Sequence, residues 1–222
     1  MIACCRTALA AIALALAGCE YLQPFEQQCE KRLPQVQISV EAAPVSYQTD
    51  FTRSSAQLTT MGAASAGRLV LGLTQTQLKS SVSLGSSGLT RRFGGRHCMR
   101  PSVSVRLAFD PMTVFIGREL AEGSCRFGIT MGHEMKHVRT YEVFLTDVAA
   151  EVERELTRRL GDRIQYFASE AEAERHLNTL VGESLGPYVQ DSMNAVNALQ
   201  AKVDSPDEYF RLDRFQDACR DE

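Results

Sequence analysis

His133-Glu134-Met135-Lys136-His137 sets two imidazoles four residues apart, with a carboxylate directly after the first. At 3.6 residues per turn, positions i and i+4 lie one above the other on a helix face. Both rings can therefore grip one divalent ion from the same side. Glu134, one step round the helix, is then placed to take a proton from water activated at that ion. These residue types at this spacing are the working parts of metal-assisted hydrolysis, with zinc the expected ion.

The pentad needs a helix beneath it. Ile129, Met131, Met135, Val138, Leu145, Val148, Val152 and Leu156 recur at three- and four-residue steps, which predicts an amphipathic helix from about Ile129 to Leu160. Gly161-Asp162 ends it. Ser169 with Glu172 three residues later is a capping-box signature for a second long helix, interrupted at Gly186-Pro187 and stopped by Asp204-Ser205-Pro206. A short helix around Glu208 to Cys219 closes the chain.

Two histidines do not complete a catalytic zinc site, which normally has three protein ligands. Glu151 lies about 21 Å along the helix from His137 and cannot reach the same ion. Glu170, Glu172, Glu174 and His176 open the second helix at its far end, roughly 30 Å away if the two helices pack antiparallel. Residues between Asn194 and Glu208 come level with the histidines. Glu208 is the expected third ligand and Asp204 the second choice, while a sharp bend at Gly161 would bring Glu170 or Glu172 into reach. Tyr209, Tyr141 and His176 are the candidates for stabilising a developing oxyanion.

Ahead of the helix the apolar residues alternate. Val36, Ile38 and Val40 predict one strand, Val45 to Phe51 another, and Leu69 to Leu73 and Ser80 to Leu84 weaker ones; Ser54 to Met61 fits strand or helix. Val103, Val105, Leu107 and Phe109 alternate cleanly up to Asp110-Pro111, read as a hairpin turn with Met112 to Gly117 returning. That returning strand is the expected edge for an extended substrate. The Gly-, Ser- and Arg-rich stretch from Gly85 to His97 reads as an exposed loop.

The N-terminus reads as an export signal. A short positive start, an apolar run from Ala8 to Ala17, and Leu16-Ala17-Gly18-Cys19 resemble the lipobox of bacterial lipoproteins. That resemblance implies removal of residues 1–18, diacylglycerol on the Cys19 thiol and an acyl (palmitate-type) chain on the new N-terminus. Several such chains hold a protein firmly to a membrane. Glu20 after the cysteine favours the periplasmic face of the outer membrane. Residues 19–33 are expected as a tether, and 34–222 as a single domain, β-rich over 34–128 and helical over 129–222.

The chain has seven cysteines, of which Cys29, Cys98, Cys125 and Cys219 remain after processing and lipidation. An even number in an exported protein implies two disulfides. The hairpin reading pairs Cys98 with Cys125, leaving Cys29 with Cys219. The formal net charge of −3 is mild, and no basic helix or stacking motif points to nucleic acid.

A β-rich N-terminal part, a hairpin bracketed by Cys98 and Cys125, the pentad on a long helix and a returning helix resemble the family of bacterial predicted secreted zinc-dependent proteases, over residues 34–212. The resemblance implies an α+β, zincin-like fold in which an antiparallel β-rich part precedes the metal helix. It implies His133 and His137 as ligands and Glu134 as catalytic base. Two departures stand out: Lys136 replaces the glycine usual before the second histidine, and Asp207-Glu208-Tyr209 stands where the family ends in His-Gly. The expected function is a lipid-anchored periplasmic zinc metallopeptidase acting on a peptide or protein. A non-catalytic envelope module on the same scaffold is the alternative, and a cell-wall amidase the third.

Overall fold

A computed structural model describes residues 23–62 and 68–219. The segment read as an export signal and Cys19 lie outside the described residues. The elements in chain order are α1 (Phe25–Arg32), β1 (Gln37–Ala42), β2 (Gln48–Asp50), α2 (Ser55–Met61), β3 (Gly72–Thr90), β4 (His97–Ile116), α3 (Cys125–Leu160), β5 (Gln165–Phe167), α4 (Glu170–Leu180), a π-helical turn (Val181–Leu185), α5 (Gly186–Asn194), α6 (Val196–Val203) and α7 (Pro206–Ala218). This is an α+β architecture: one sheet, with α3 and the helices that return along it on one face and α1 against the other face at Cys98.

β4 is the sheet's spine. It pairs antiparallel with β3 over its whole length, while β5, β1 and β2 line its other edge end to end. The hairpin expected at Asp110-Pro111 does not form. The chain passes straight through, with a cis Asp110–Pro111 bond and a bulge where Thr76 faces Met112 but Leu78 faces Phe109. Proline has no N–H for the ladder, and a bulge is where a strand tolerates one. The extra residue also shifts the side-chain parity. Val103, Val105, Leu107 and Phe109 face the helices before it, and Met112, Val114 and Ile116 after it. The apolar face thus stays continuous.

The β-rich part is mixed rather than antiparallel, because β1 and β2 run parallel to β4. β4 is the return arm of the β3–β4 hairpin and so points the same way as the earlier stretch 37–50. The loop expected over Gly85 to His97 is strand as far as Thr90, paired up to His97. Its serines and glycines lie on a sheet with a solvated face and carry no apolar alternation to reveal it. Met112–Gly117 is not an edge: β3 flanks it on one side and β2 on the other.

α3 carries the covering layer. Ser124 caps its N-terminus by accepting from the Phe127 amide, and Gly161, at φ 59°, ends it. At 36 residues it spans about 54 Å. Val138, Leu145, Val148, Val152 and Leu156 pack on the β4 face with Val189, Met193 and Val196 of the returning helices. Each such fully buried aliphatic contributes about 1.5–3 kcal/mol relative to exposure. The returning segment runs antiparallel to α3: Arg159 lies over Tyr188, His137 meets Gln200, and Arg126 meets Gln216. It is a chain of short helices rather than one, with the π turn just before Gly186-Pro187.

Neither expected disulfide forms. The bonds are Cys29–Cys98 and Cys125–Cys219. Without a hairpin turn, β4 holds its two ends roughly 60 Å apart, so Cys98 cannot meet Cys125. Cys98 instead takes Cys29 of α1, where Phe25, Leu33 and Leu89 close a small apolar cluster. Arg100 adds hydrogen bonds to the Leu33 and Pro34 carbonyls and to Glu30. From Phe25 onward the expected tether is therefore a docked helix. Cys125–Cys219 ties the start of α3 to the end of α7. Among the described residues no helix is long and apolar enough to cross a membrane.

Candidate metal centre

The buried stripe of α3 is apolar for most of its length but turns polar near its start. Thr130, His133, Glu134 and His137 are all less than 9% exposed. Polar groups placed there need partners, and β3, α6 and α7 supply them. His133 Nε2 and His137 Nε2 lie 3.3 Å apart, and Asp204 Oδ1 lies 3.3 Å from the first and 3.2 Å from the second. These three atoms form a nearly equilateral triangle. A tetrahedral ion with bonds of about 2.05 Å has its donors about 3.3 Å apart, so the triangle matches one face of a zinc coordination shell. Among the described residues this is the group of histidine and acid side chains fit to hold a metal.

The far side of the His137 ring is held as metal-binding histidines usually are. His137 Nδ1 meets Gln200 Oε1 at 2.6 Å, and Gln200 Nε2 donates to the His137 carbonyl at 3.2 Å. The amide oxygen can only accept, so Nδ1 carries a proton, and Nε2 is the ring nitrogen that faces Asp204. His133 Nδ1 has no hydrogen-bond partner; Glu208 Oε1 is 3.5 Å away. Glu208, the expected third ligand, thus stands behind His133, on its other nitrogen, ion-paired with Lys136 and Arg211. Asp204 takes the third corner of the triangle because it caps α6, where Ser205-Pro206 restarts the chain as α7 and turns that carboxylate toward α3. Glu170 is exposed at the start of α4, beyond the opposite end of α3, and does not join the site.

Charge follows from the packing. Burial opposes ionisation of Asp204, but hydrogen bonds with His133, His137 and Tyr209 outweigh it and hold the carboxyl far below its usual range. Burial likewise opposes a charged His137, yet Asp204 and Gln200 together raise its pKa. Burial raises Glu134, against the pull of His137 and the Thr74 hydroxyl. Tyr209 is pushed up by burial and by the negative charge of Asp204, to which its hydroxyl donates at 2.9 Å.

Two residues that the sequence reading passed over place Glu134. Thr74 of β3 donates to Glu134 Oε2 at 2.8 Å. Gly72, two residues earlier on the same strand face, leaves room for that carboxylate: a Cβ there would stand 2.6 Å from Glu134 Oε1 and 2.7 Å from Thr130 Cγ2. A glycine inside the apolar run Leu69 to Leu73 is the signal that could have marked this close approach.

A cavity of about 320 Å³ opens over the cluster, lined by Leu69 to Thr74, the two histidines, Glu134, Asp204, Tyr141 and Tyr209. Of the three oxyanion candidates, Tyr141 and Tyr209 line it, whereas His176 packs against Phe167 at the far end of the sheet. The arrangement offers two imidazole nitrogens and one carboxylate oxygen converging on a point, a buried acidic side chain beside them, and a solvent-connected hollow. Comparison of the chain with protein-family models, with curated proteins and with solved structures finds no match.

Proposed function

We propose that the chain is a zinc-dependent peptidase with a zincin-like active-site helix, exported and anchored in the outer membrane through lipid on Cys19. The triangle formed by His133 Nε2, His137 Nε2 and Asp204 Oδ1 carries this reading. Three protein donors is the number found in catalytic rather than structural zinc sites. Bound there, the ion would polarise a carbonyl oxygen and lower the pKa of water. Glu134 takes the proton from attacking water and returns it to the leaving amine. Gly72 and Thr74 keep its carboxylate turned toward the cavity. Tyr209 and Tyr141 offer hydroxyls to a developing oxyanion. An extended substrate lies along Gly72 to Thr74 of the β3 edge and the Val70-Leu71 stretch that leads into it, beside which no further strand stands among the described residues. Two disulfides suit an oxidising compartment.

The test is Glu134→Gln. The variant is expected to keep one zinc per chain and to lose at least about a hundredfold in kcat, the contribution typical of a general base. The assay uses fluorogenic peptide libraries and peptidoglycan fragments. Zinc-loaded wild type that cleaves none of them, or a variant that cleaves as fast as wild type, would sink the peptidase reading.

A further inference from the structure

We propose that the tip of the β3–β4 hairpin, Arg91 to Arg96, docks on an anionic phospholipid bilayer. This tip is built, not loose. The Arg91 amide donates to the Arg96 carbonyl at 2.7 Å, and Gly94 and Gly95 take the left-handed backbone that the tight turn requires. At its apex Phe93 is 78% exposed, the most exposed large apolar side chain among the described residues. Arg91 and Arg92 flank it, both exposed, with the Arg92 guanidinium 5.8 Å from the Phe93 ring centre. The acid within reach is Glu26, which pairs with Arg96 at 3.0 Å. An apolar wedge ringed by cations is the composition that sits at a negatively charged lipid interface.

Its place in the fold makes the bilayer the occupant. Arg96 also lies 5.8 Å from the ring centre of Phe25, the first residue of α1. Cys19 precedes Phe25 by six residues, a reach of roughly 20 Å at most. If Cys19 carries lipid, a reading on which the docking rests, the hairpin tip is held within that distance of the membrane. The metal cluster sits by Gly72, at the other end of β3. That strand's 19 residues span roughly 60 Å. Docking at the tip would stand the molecule upright and hold the cavity roughly 50–60 Å above the lipid. The substrate class this geometry favours is then a peptide of the layer beyond the bilayer, not a membrane-embedded one.

The chain contains no tryptophan, so Phe93→Trp introduces a lone indole at an exposed position. The full chain carrying this change, expressed with its export segment and purified in detergent, is reconstituted into vesicles. One set is phosphatidylcholine alone and the other contains phosphatidylglycerol, with brominated acyl chains as quenchers. The expected result is a blue-shifted emission quenched by bromolipid in anionic vesicles and weaker in neutral ones. Adding Arg91→Gln and Arg92→Gln should lower the docking equilibrium constant about 25-fold, since each cation near an anionic surface contributes about fivefold. Intact mass reports lipidation separately. A lipidated chain in anionic vesicles whose indole stays in water overturns the docking and leaves the anchor standing. An unlipidated chain whose indole still meets bromolipid does the reverse. If neither lipid nor quenching is found, both fall.

Discussion

Gly72→Ala is the sharpest single perturbation of the site, because it disturbs the proposed base, Glu134, without touching His133, His137 or Asp204. The new Cβ would stand 2.6 Å from Glu134 Oε1, 2.7 Å from Thr130 Cγ2 and 2.9 Å from Glu134 Cγ. Non-bonded carbons prefer about 3.5–4.0 Å, so some group must yield by roughly 1 Å. Thr130 cannot: it sits on α3, its hydroxyl bonded to the Arg126 carbonyl and to Gln216 Nε2. The relief falls on Glu134, whose other oxygen Thr74 holds, or on the strand itself. A displacement of about 1 Å at the reacting groups costs on the order of a hundredfold in rate, equivalent to about 2.7 kcal/mol. Overpacking adds a stability loss of about 1–3 kcal/mol. The assay compares kcat, zinc content and the melting temperature of Gly72→Ala with those of Thr74→Val, which removes the hydrogen bond without the clash. Retained zinc with kcat lowered about a hundredfold is expected. Retained zinc with wild-type kcat would show that Glu134 is not the base, or that β3 does not position it.

Asp204→Ala should abolish tight zinc binding, whereas Glu208→Gln should weaken it only about 10–100-fold, the range for a group acting behind a ligand; zinc titration of metal-stripped protein separates the two. Peptide mapping without reduction should recover Cys29–Cys98 and Cys125–Cys219. Opening the second bond by Cys125→Ser with Cys219→Ser should cost about 4–5 kcal/mol on the chain-entropy model for a loop of this size, read as a lowered denaturation midpoint. In metal-free protein, Glu134 has a folded pKa raised above its ordinary 4.5 by burial. Its contribution to stability is therefore complete below the unfolded pKa and is lost as pH rises through the folded one. The melting temperature of Glu134→Gln should accordingly gain on wild type as pH rises above the ordinary carboxyl value of 4.5. A gap that stays constant or narrows with rising pH would contradict the burial of that carboxylate.

How far the chain could be read depended on the kind of signal. The metal helix was legible because a 3.6-residue apolar stripe runs through it and the pentad rides on that stripe. Counting back along an antiparallel return placed the third ligand between Asn194 and Glu208, where Asp204 lies. Choosing between Asp204 and Glu208 needed the local geometry of the α6–α7 joint, which a one-dimensional count cannot supply. Asp110-Pro111 misled for a specific reason: an Asp-Pro pair after alternating residues signals a turn. The parity shift, from Phe109 to Met112, was the visible mark of a bulge instead. That one reading carried the disulfide pairing and the supposed edge strand with it. Thr74 and Gly72 were missed because a base held across a sheet–helix contact leaves no short-range pattern, only a glycine within an apolar run.

The central claim is that His133, His137 and Asp204 share one zinc ion beside a catalytic carboxylate. Metal analysis of the purified chain with X-ray absorption at the zinc edge tests it most directly. One zinc per chain is expected, bound by two imidazole nitrogens and carboxylate or water oxygen at about 2.0–2.2 Å, with loss of that zinc in Asp204→Ala. A chain that binds no zinc at micromolar concentration, or an unchanged spectrum and zinc content in Asp204→Ala, would contradict it.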